Sequence, residues 1–300
     1  MLVAGWFSWP AAAATAGDLM ARDVACEWLE RAGREYDVAN ASSFGSGVDW
    51  REVDPDGYSD LVFVCGPVGP AYSALEQLLR RFPGSRHIGL DLTMIAPVSE
   101  WNPFDVLFER DSTRRVNPDL ALVAAGPRLP VIGVVLVEPY EPEFPDRDRQ
   151  DAARRAVEAL LESVSAARVP IDTRLDVNQT RLRSPGEVES LIARMDAVVT
   201  TRLHGLVLAI KSGVPALAID PVSGGSKIKH QAEVLGWPAI RAADRLGQDD
   251  LRATLEFCLS EEARRLARRC AEQGTIRLES LRDEFVAALK GRPGSRGDPR

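Results

Sequence analysis

Three hundred residues, 45% of them hydrophobic, suffice for about two globular domains with cores of their own. A net charge of −7 argues against general binding to nucleic acid or anionic membrane, and it still allows a local basic pocket. The cysteines Cys26, Cys65, Cys258 and Cys270 show no C-x-x-C spacing, which fits a reduced, cytoplasmic setting, and no apolar run reaches the length of a membrane span.

Residues 2–4 read as a first strand with an Ala-rich loop behind it. The stretch through Gly17 ends in small residues as a signal peptide would, but no Lys or Arg precedes Arg22 and Trp9-Pro10 breaks the apolar run. Leu19, Ala21, Val24, Ala25, Trp28 and Leu29 then recur at helical spacing, which puts Asp18 at the helix start as its N-cap. Residues 60–65 (DLVFVC) form an apolar strand that the glycines and prolines of 66–70 turn into a helix over 71–82. The two prolines remove N–H donors and disfavour a phosphate cradle there. Residues 87–90 and 105–108 are further strands, the second delivering Glu109, Arg110, Asp111 and Ser112 to a strand end. A surface ion pair or a helix cap explains Arg110 and Asp111 as well as a ligand role does. A linker falls at 126–130, dividing the chain into lobes 1–127 and 128–290, with 291–300 a disordered tail.

Residues 131–137 (VIGVVLV) open the second lobe, followed by a Pro-rich charged loop over 138–149 and a helix over 151–167. Arg174, Arg181 and Arg183 occupy a polar connection, and Ser184-Pro185-Gly186-Glu187 has the spacing of a capping box. The stretch 196–238 organises the rest. A β-branched strand, 196–200, leads through Thr201, Arg202, Leu203, His204 and Gly205 into an apolar helix ending at Gly213. A second strand, 216–219, leads through Asp220-Pro221 and Ser223-Gly224-Gly225-Ser226 into a helix starting near Lys227. Two successive strand–loop–helix units place both loops at the carboxyl edge of one parallel sheet, where open α/β sheets bind ligands. A short strand at 239–240 and charged amphipathic helices over 249–258 and 261–289 complete the chain.

The loop chemistry favours an anion. Helix-start N–H groups and the positive end of the dipole attract negative charge, and Arg202 adds a planar cationic fork. His204 can exchange a proton near neutral pH, and Ser223, Gly224, Ser226 and Lys227 offer a flexible wrap ending in a cation. The alternative is a structural helix-start cation beside a capping histidine. No His-Glu-x-x-His run, G-x-S-x-G elbow or Walker loop is present.

Arg202-Leu203-His204-Gly205 between an apolar strand and helix, followed by Ala209, Gly213-Val214-Pro215 and a second strand, resembles the polysaccharide pyruvyl transferase family. Weaker similarities are Gly17-Asp18, the Gly66/Gly69 turn, Arg110-Asp111-Ser112 and Pro118-Asp119. The family pattern often has Asn two places before the Asp, where this chain has Ala16. The resemblance implies two Rossmann-like α/β lobes with parallel sheets, arranged as in GT-B glycosyltransferases, and transfer of pyruvate from phosphoenolpyruvate to sugar hydroxyls without a further cofactor. It implies a phosphoenolpyruvate site at Arg202, Leu203 and His204 with His204 catalytic, a catalytic role toward the acceptor for Asp18 and substrate binding by Arg110. The loop chemistry adds Gly205, Ser223, Gly224 and Lys227 to the substrate-binding set, and the scattered histidines favour no metal. The implied partners are phosphoenolpyruvate and a sugar or glycan acceptor, with peripheral membrane association if that acceptor is lipid-linked. A GT-B glycosyltransferase using a nucleotide sugar and a non-catalytic binding subunit are the alternatives.

Overall fold

The computed structural model describes residues 1–10, 12–137 and 145–290. The expected loop over 138–149 falls partly, and the expected tail over 291–300 wholly, outside the described residues. The chain divides into two compact units, Met1–Pro127 and Arg128–Arg300.

In the first unit the elements are β1 (Leu2–Gly5), α1 (Ala16–Arg31), β2 (Asp37–Val38), β3 (Asp60–Val68), α2 (Ser73–Arg81), β4 (Arg86–Met94) and β5 (Val106–Asp111). All pairings named between these strands are parallel, in the order β2-β1-β3-β4-β5. The second unit contains β6 (Val131–Val135), α3 (Gln150–Glu162), β7 (Ala167–Pro170), α4 (Pro185–Ile192), β8 (Ala197–Thr200), α5 (Leu203–Lys211), β9 (Ala216–Asp220), α6 (Lys227–Leu235), β10 (Ile240–Ala242), α7 (Gln248–Cys258) and α8 (Glu261–Lys290). Its parallel sheet runs β7-β6-β8-β9-β10, the same winding as the first. In each sheet the order reverses beside the unit's first strand, between β1 and β3 and between β6 and β8. The α/β class with two parallel sheets and flanking helices is therefore as the sequence implies.

Several local expectations change. The N-cap of α1 is Thr15, and Asp18 is the third residue of its capping box. β3 does not turn at Gly66 but continues to Val68, kinked at Cys65, whose φ is +63°; its partner β4 is kinked in step at Asp91, with φ +60°. Pairing skips that position, Val64 facing Leu90 and Gly66 facing Leu92. Pro67 is tolerated because beyond Val64 the pairing of β3 is with β4 alone, leaving one side without a ladder. Ala167 lies in β7, not at a helix end. That strand is short, exposed and at the sheet edge, where Pro170 removes no central ladder bond.

The cores explain the sequence pattern. Val198, Val199, Leu217 and Ile219 are fully buried between helical layers, which is why β8 and β9 are apolar at successive positions instead of alternating. Leu206, Ala209 and Ile210 bury the inner face of α5 in the same cluster. No helix among the described residues is long and apolar enough to cross a membrane.

Gly205 seats α5 on β8. A Cβ there would lie 2.1 Å from Thr200 Oγ1, 2.9 Å from Thr200 Cβ and 3.0 Å from Val135 Cγ1. Gly205→Ala should therefore destabilise the second unit by about 3 kcal/mol, the upper range for overpacking a core. A urea midpoint equal to that of the unaltered chain would show that α5 is not held this closely.

Candidate functional site

A cavity of about 500 Å³ opens in the second unit at the reversal between β6 and β8. Four connections at the carboxyl edge of the sheet line it: Val137, Asp148 and Gln150 after β6; Thr173 and Arg174 after β7; Thr201 to His204 after β8; and Pro221, Val222, Ser226, Lys227 and Ile228 after β9. A doubly wound sheet leaves such a crevice because its helices depart to opposite faces there.

Two adjacent threonines build the β8–α5 turn. Thr200 Oγ1 donates to the Val135 carbonyl and accepts from Arg202 N–H, each at 2.9 Å, while Thr201 Oγ1 accepts from Val137 N–H at 2.9 Å. The turn is thus tied to the end of β6. Arg202 occupies the N-cap position of α5 in an extended conformation, and its side chain makes no capping bond. The first-turn N–H groups of Leu203, His204 and Gly205 consequently carry the helix's positive end without a capping side chain.

Arg202 is oriented by two partners. Its Nε donates to the Leu136 carbonyl at 2.8 Å, and Nη2 lies 3.7 Å from Asp172 Oδ1. A cation at a helix amino end is locally unfavourable, and Asp172, 6% exposed, offsets that cost. Asp172 also accepts from Arg174 N–H at 2.9 Å and Gln179 N–H at 3.2 Å, which turns the β7 connection toward the cavity. His204 is exposed on the wall beside Arg202 and Leu203.

The second loop differs from the expected anion wrap. Ser223 N–H donates to the Arg147 carbonyl at 2.8 Å, Gly224 N–H to Asp244 Oδ2 at 2.9 Å, Gly225 N–H to the Val222 carbonyl at 2.8 Å and Ser226 N–H to Asp220 Oδ2 at 2.7 Å. The Gly224 N–H, followed by the Ser223 hydroxyl, holds the Asp244 carboxyl below the usual carboxylate range. With these four backbone donors engaged inside the protein, Ser223 and Gly224 serve the loop's own shape and do not line the cavity. Ser226 and Lys227 do.

The cavity thus brings together Arg202, Leu203, His204 and Lys227. Gly205 packs inward beneath it. Arg174 lines it as well, whereas Arg181 and Arg183 do not. Sequence reasoning missed Asp148, Asp172, Thr201 and Asp220; the position of Asp220 at a strand end before Pro221 was the available signal.

Asp18 and Arg110 belong to the first unit. Asp18 Oδ2 accepts from Thr15 N–H and Thr15 Oγ1, both at 2.7 Å, so the carboxylate serves the capping box of α1. Arg110 pairs with Asp119 and Asp111 and donates to Thr93 Oγ1 at 2.6 Å. Around it Cys65, Asp91 and Asp119 bring potential metal-ligand atoms within 4.8 Å of one another, with the guanidinium as their counter-charge. Burial, reinforced by Asp18, Asp91 and Asp119, pushes the Cys65 thiol up to about 12, so it remains protonated and a poor nucleophile at neutral pH.

Residues 110–223 match the model of the family described as polysaccharide pyruvyl transferase. That span holds Arg110, Arg202, Leu203, His204, Gly205 and Ser223; Asp18, Gly224 and Lys227 lie outside it. The match supports a transferase of polysaccharide modification. No curated protein matches the chain. Among solved structures, the crystal structure of CalG4, the calicheamicin glycosyltransferase, is similar at 15% identity and a TM-score of 0.38 over 90% of this chain, which spans 65% of that one. The spinosyn forosaminyltransferase SpnP is similar at 14% identity and a TM-score of 0.32, with 93% and 98% of the two chains covered.

The kinked strands give a pH-dependent expectation. Burial first, then the neighbouring Asp119, raises the Asp91 carboxyl, outweighing the Leu120 N–H it accepts at 3.2 Å. A carboxyl raised on folding contributes stability that is complete below its unfolded value and lost as pH rises through its folded value. Asn tolerates the left-handed backbone and keeps an acceptor. Asp91→Asn should melt higher than the unaltered chain at pH 7, with the gain vanishing below the ordinary value of 3.8. An equal or lower melting temperature at pH 7 would contradict a penalty for charge at this position.

Proposed function

We propose that the chain is a pyruvyl transferase, moving the pyruvyl group of phosphoenolpyruvate onto two hydroxyls of a glycan sugar to form a pyruvate ketal. The observation that carries this reading is the uncapped amino end of α5, with Arg202 and His204 beside it on one cavity wall. The family match over this segment supports the donor assignment. A small anion bound there meets helix dipole and guanidinium together, the combination that selects carboxylate or phosphate.

The chemistry is acid–base and electrostatic. A proton is added to the methylene carbon of phosphoenolpyruvate, and a sugar hydroxyl attacks the adjacent carbon as it becomes electrophilic. The carbon–oxygen bond to phosphate breaks, and a second hydroxyl closes the ketal. The two hydroxyl protons balance the equation, one ending on the new methyl group and one on phosphate. His204 is the proton donor or the partner of the departing phosphate. Arg202 holds the donor anion in place, and Ser226 and Lys227 line the same cavity. By resemblance alone, Asp18 is assigned to the acceptor and Arg110 to substrate binding. The nucleotide-sugar alternative would draw on the same α5 amino end, since the backbone donors of residues 223–226 are engaged within the protein and add none for a second phosphate.

Phosphate release from phosphoenolpyruvate, screened against a panel of sugar acceptors, tests the proposal. His204→Ala should lower turnover by roughly a hundred-fold or more, the usual contribution of a positioned acid–base group, without altering the fold of this exposed position. Arg202→Lys should raise KM by about ten-fold, because an ammonium cannot copy the planar fork. Undiminished turnover by His204→Ala would remove that residue from the mechanism. Tight binding of nucleotide diphosphates with none of phosphoenolpyruvate would replace the reading altogether.

A further inference from the structure

We propose that Asp220 is a positioning residue whose buried carboxylate fixes the cavity wall formed by Ser226, Lys227 and Ile228. The inference rests on the donor-site reading above. Asp220 ends β9 and is 1% exposed, and it does not itself line the cavity. Its Oδ1 accepts from Val222 N–H at 3.1 Å and from the Ser226 hydroxyl at 3.2 Å. Its Oδ2 accepts from Ser226 N–H at 2.7 Å and Lys229 N–H at 3.0 Å.

A carboxylate this deeply buried is costly unless donors and local positive potential compensate it. Here three N–H groups, a hydroxyl and the amino end of α6 do so. The arrangement displaces the ordinary cap. Ser226 is the N-cap residue of α6, yet its side chain makes no capping bond, because its hydroxyl is turned to Asp220. The start of α6 is therefore located by the sheet and not by its own loop. On the main chain, the Asp220 carbonyl accepts from Ala243 N–H at 3.1 Å, and β9 is paired with β10 beside it, so the anchor is rigid.

The two helix amino ends at this edge consequently differ in use. Asp220 satisfies the N-cap and third-position donors of α6 as an internal anion, while the N-cap side chain of α5 makes no capping bond. The substrate anion is thereby directed to α5, and α6 contributes side chains held at a set distance from it.

Asp220→Asn keeps the volume and replaces one acceptor oxygen by a donor. Hydrogen exchange at the Ser226 and Lys229 amides should accelerate at least ten-fold, and the Kd for phosphoenolpyruvate by calorimetry should weaken at least ten-fold. Exchange in the rest of the sheet should be unchanged. Should this variant fail to fold, Asp220→Ser, which keeps a shorter acceptor, is read the same way. Unchanged exchange at both amides would overturn the assignment. So would faster exchange with an unaltered Kd, the signature of a cap that only stabilises. If the unaltered chain binds inorganic phosphate but no phosphoenolpyruvate, the pyruvyl reading fails alone and the phosphate Kd decides for Asp220. Binding of neither overturns both.

Discussion

The site depends on where a parallel sheet delivers the amino ends of its helices. In the second unit β8 and β9 each hand the chain to a helix at the same edge, beside the reversal of strand order. The seat of α5 is set by Gly205 against Thr200, and the turn above it is tied to β6 by the hydroxyls of Thr200 and Thr201. Those contacts place the positive end of α5, whose N-cap side chain makes no capping bond, against a cavity. The electrostatics follow from backbone placement before any charged side chain is considered.

The charged side chains then divide into those that build the wall and those that face the cavity. Asp172 and Asp220 are both buried, and each accepts from N–H groups of the connection it begins. Each would be expensive to bury alone, and each is compensated by N–H groups as well as by a cation or a helix end. Arg202 stands between the two classes. One edge of its guanidinium is committed to the Leu136 carbonyl and to Asp172, which limits its rotamers while the group still lines the cavity. A net charge of −7 over the chain makes this local positive site stand out from its surroundings.

The strands and helices from Ala197 to Leu235 were legible because their signals are local: apolar strands, a glycine after each helix, and a cation and imidazole at a helix start. The loop over 223–226 was misread for the opposite reason. Whether its N–H groups are free depends on Arg147, Asp220 and Asp244, which no local pattern connects to it. Asp18 shows a finer version of this, since Thr15 three residues earlier competes for the N-cap position and prevails. The paired kink at Cys65 and Asp91 left no trace in composition; only the matching left-handed backbone on adjacent strands shows it. The common strand order of the two units was equally hidden, because topology can recur without any repeat of residue identity.

The central claim is that a small donor anion binds at the amino end of α5. The most direct measurement follows backbone amide resonances during titration with phosphoenolpyruvate. The account predicts saturable shifts concentrated at Leu203, His204 and Gly205, as hydrogen-bonding to an anion deshields those groups. Saturable binding that leaves these three amides unmoved would contradict it.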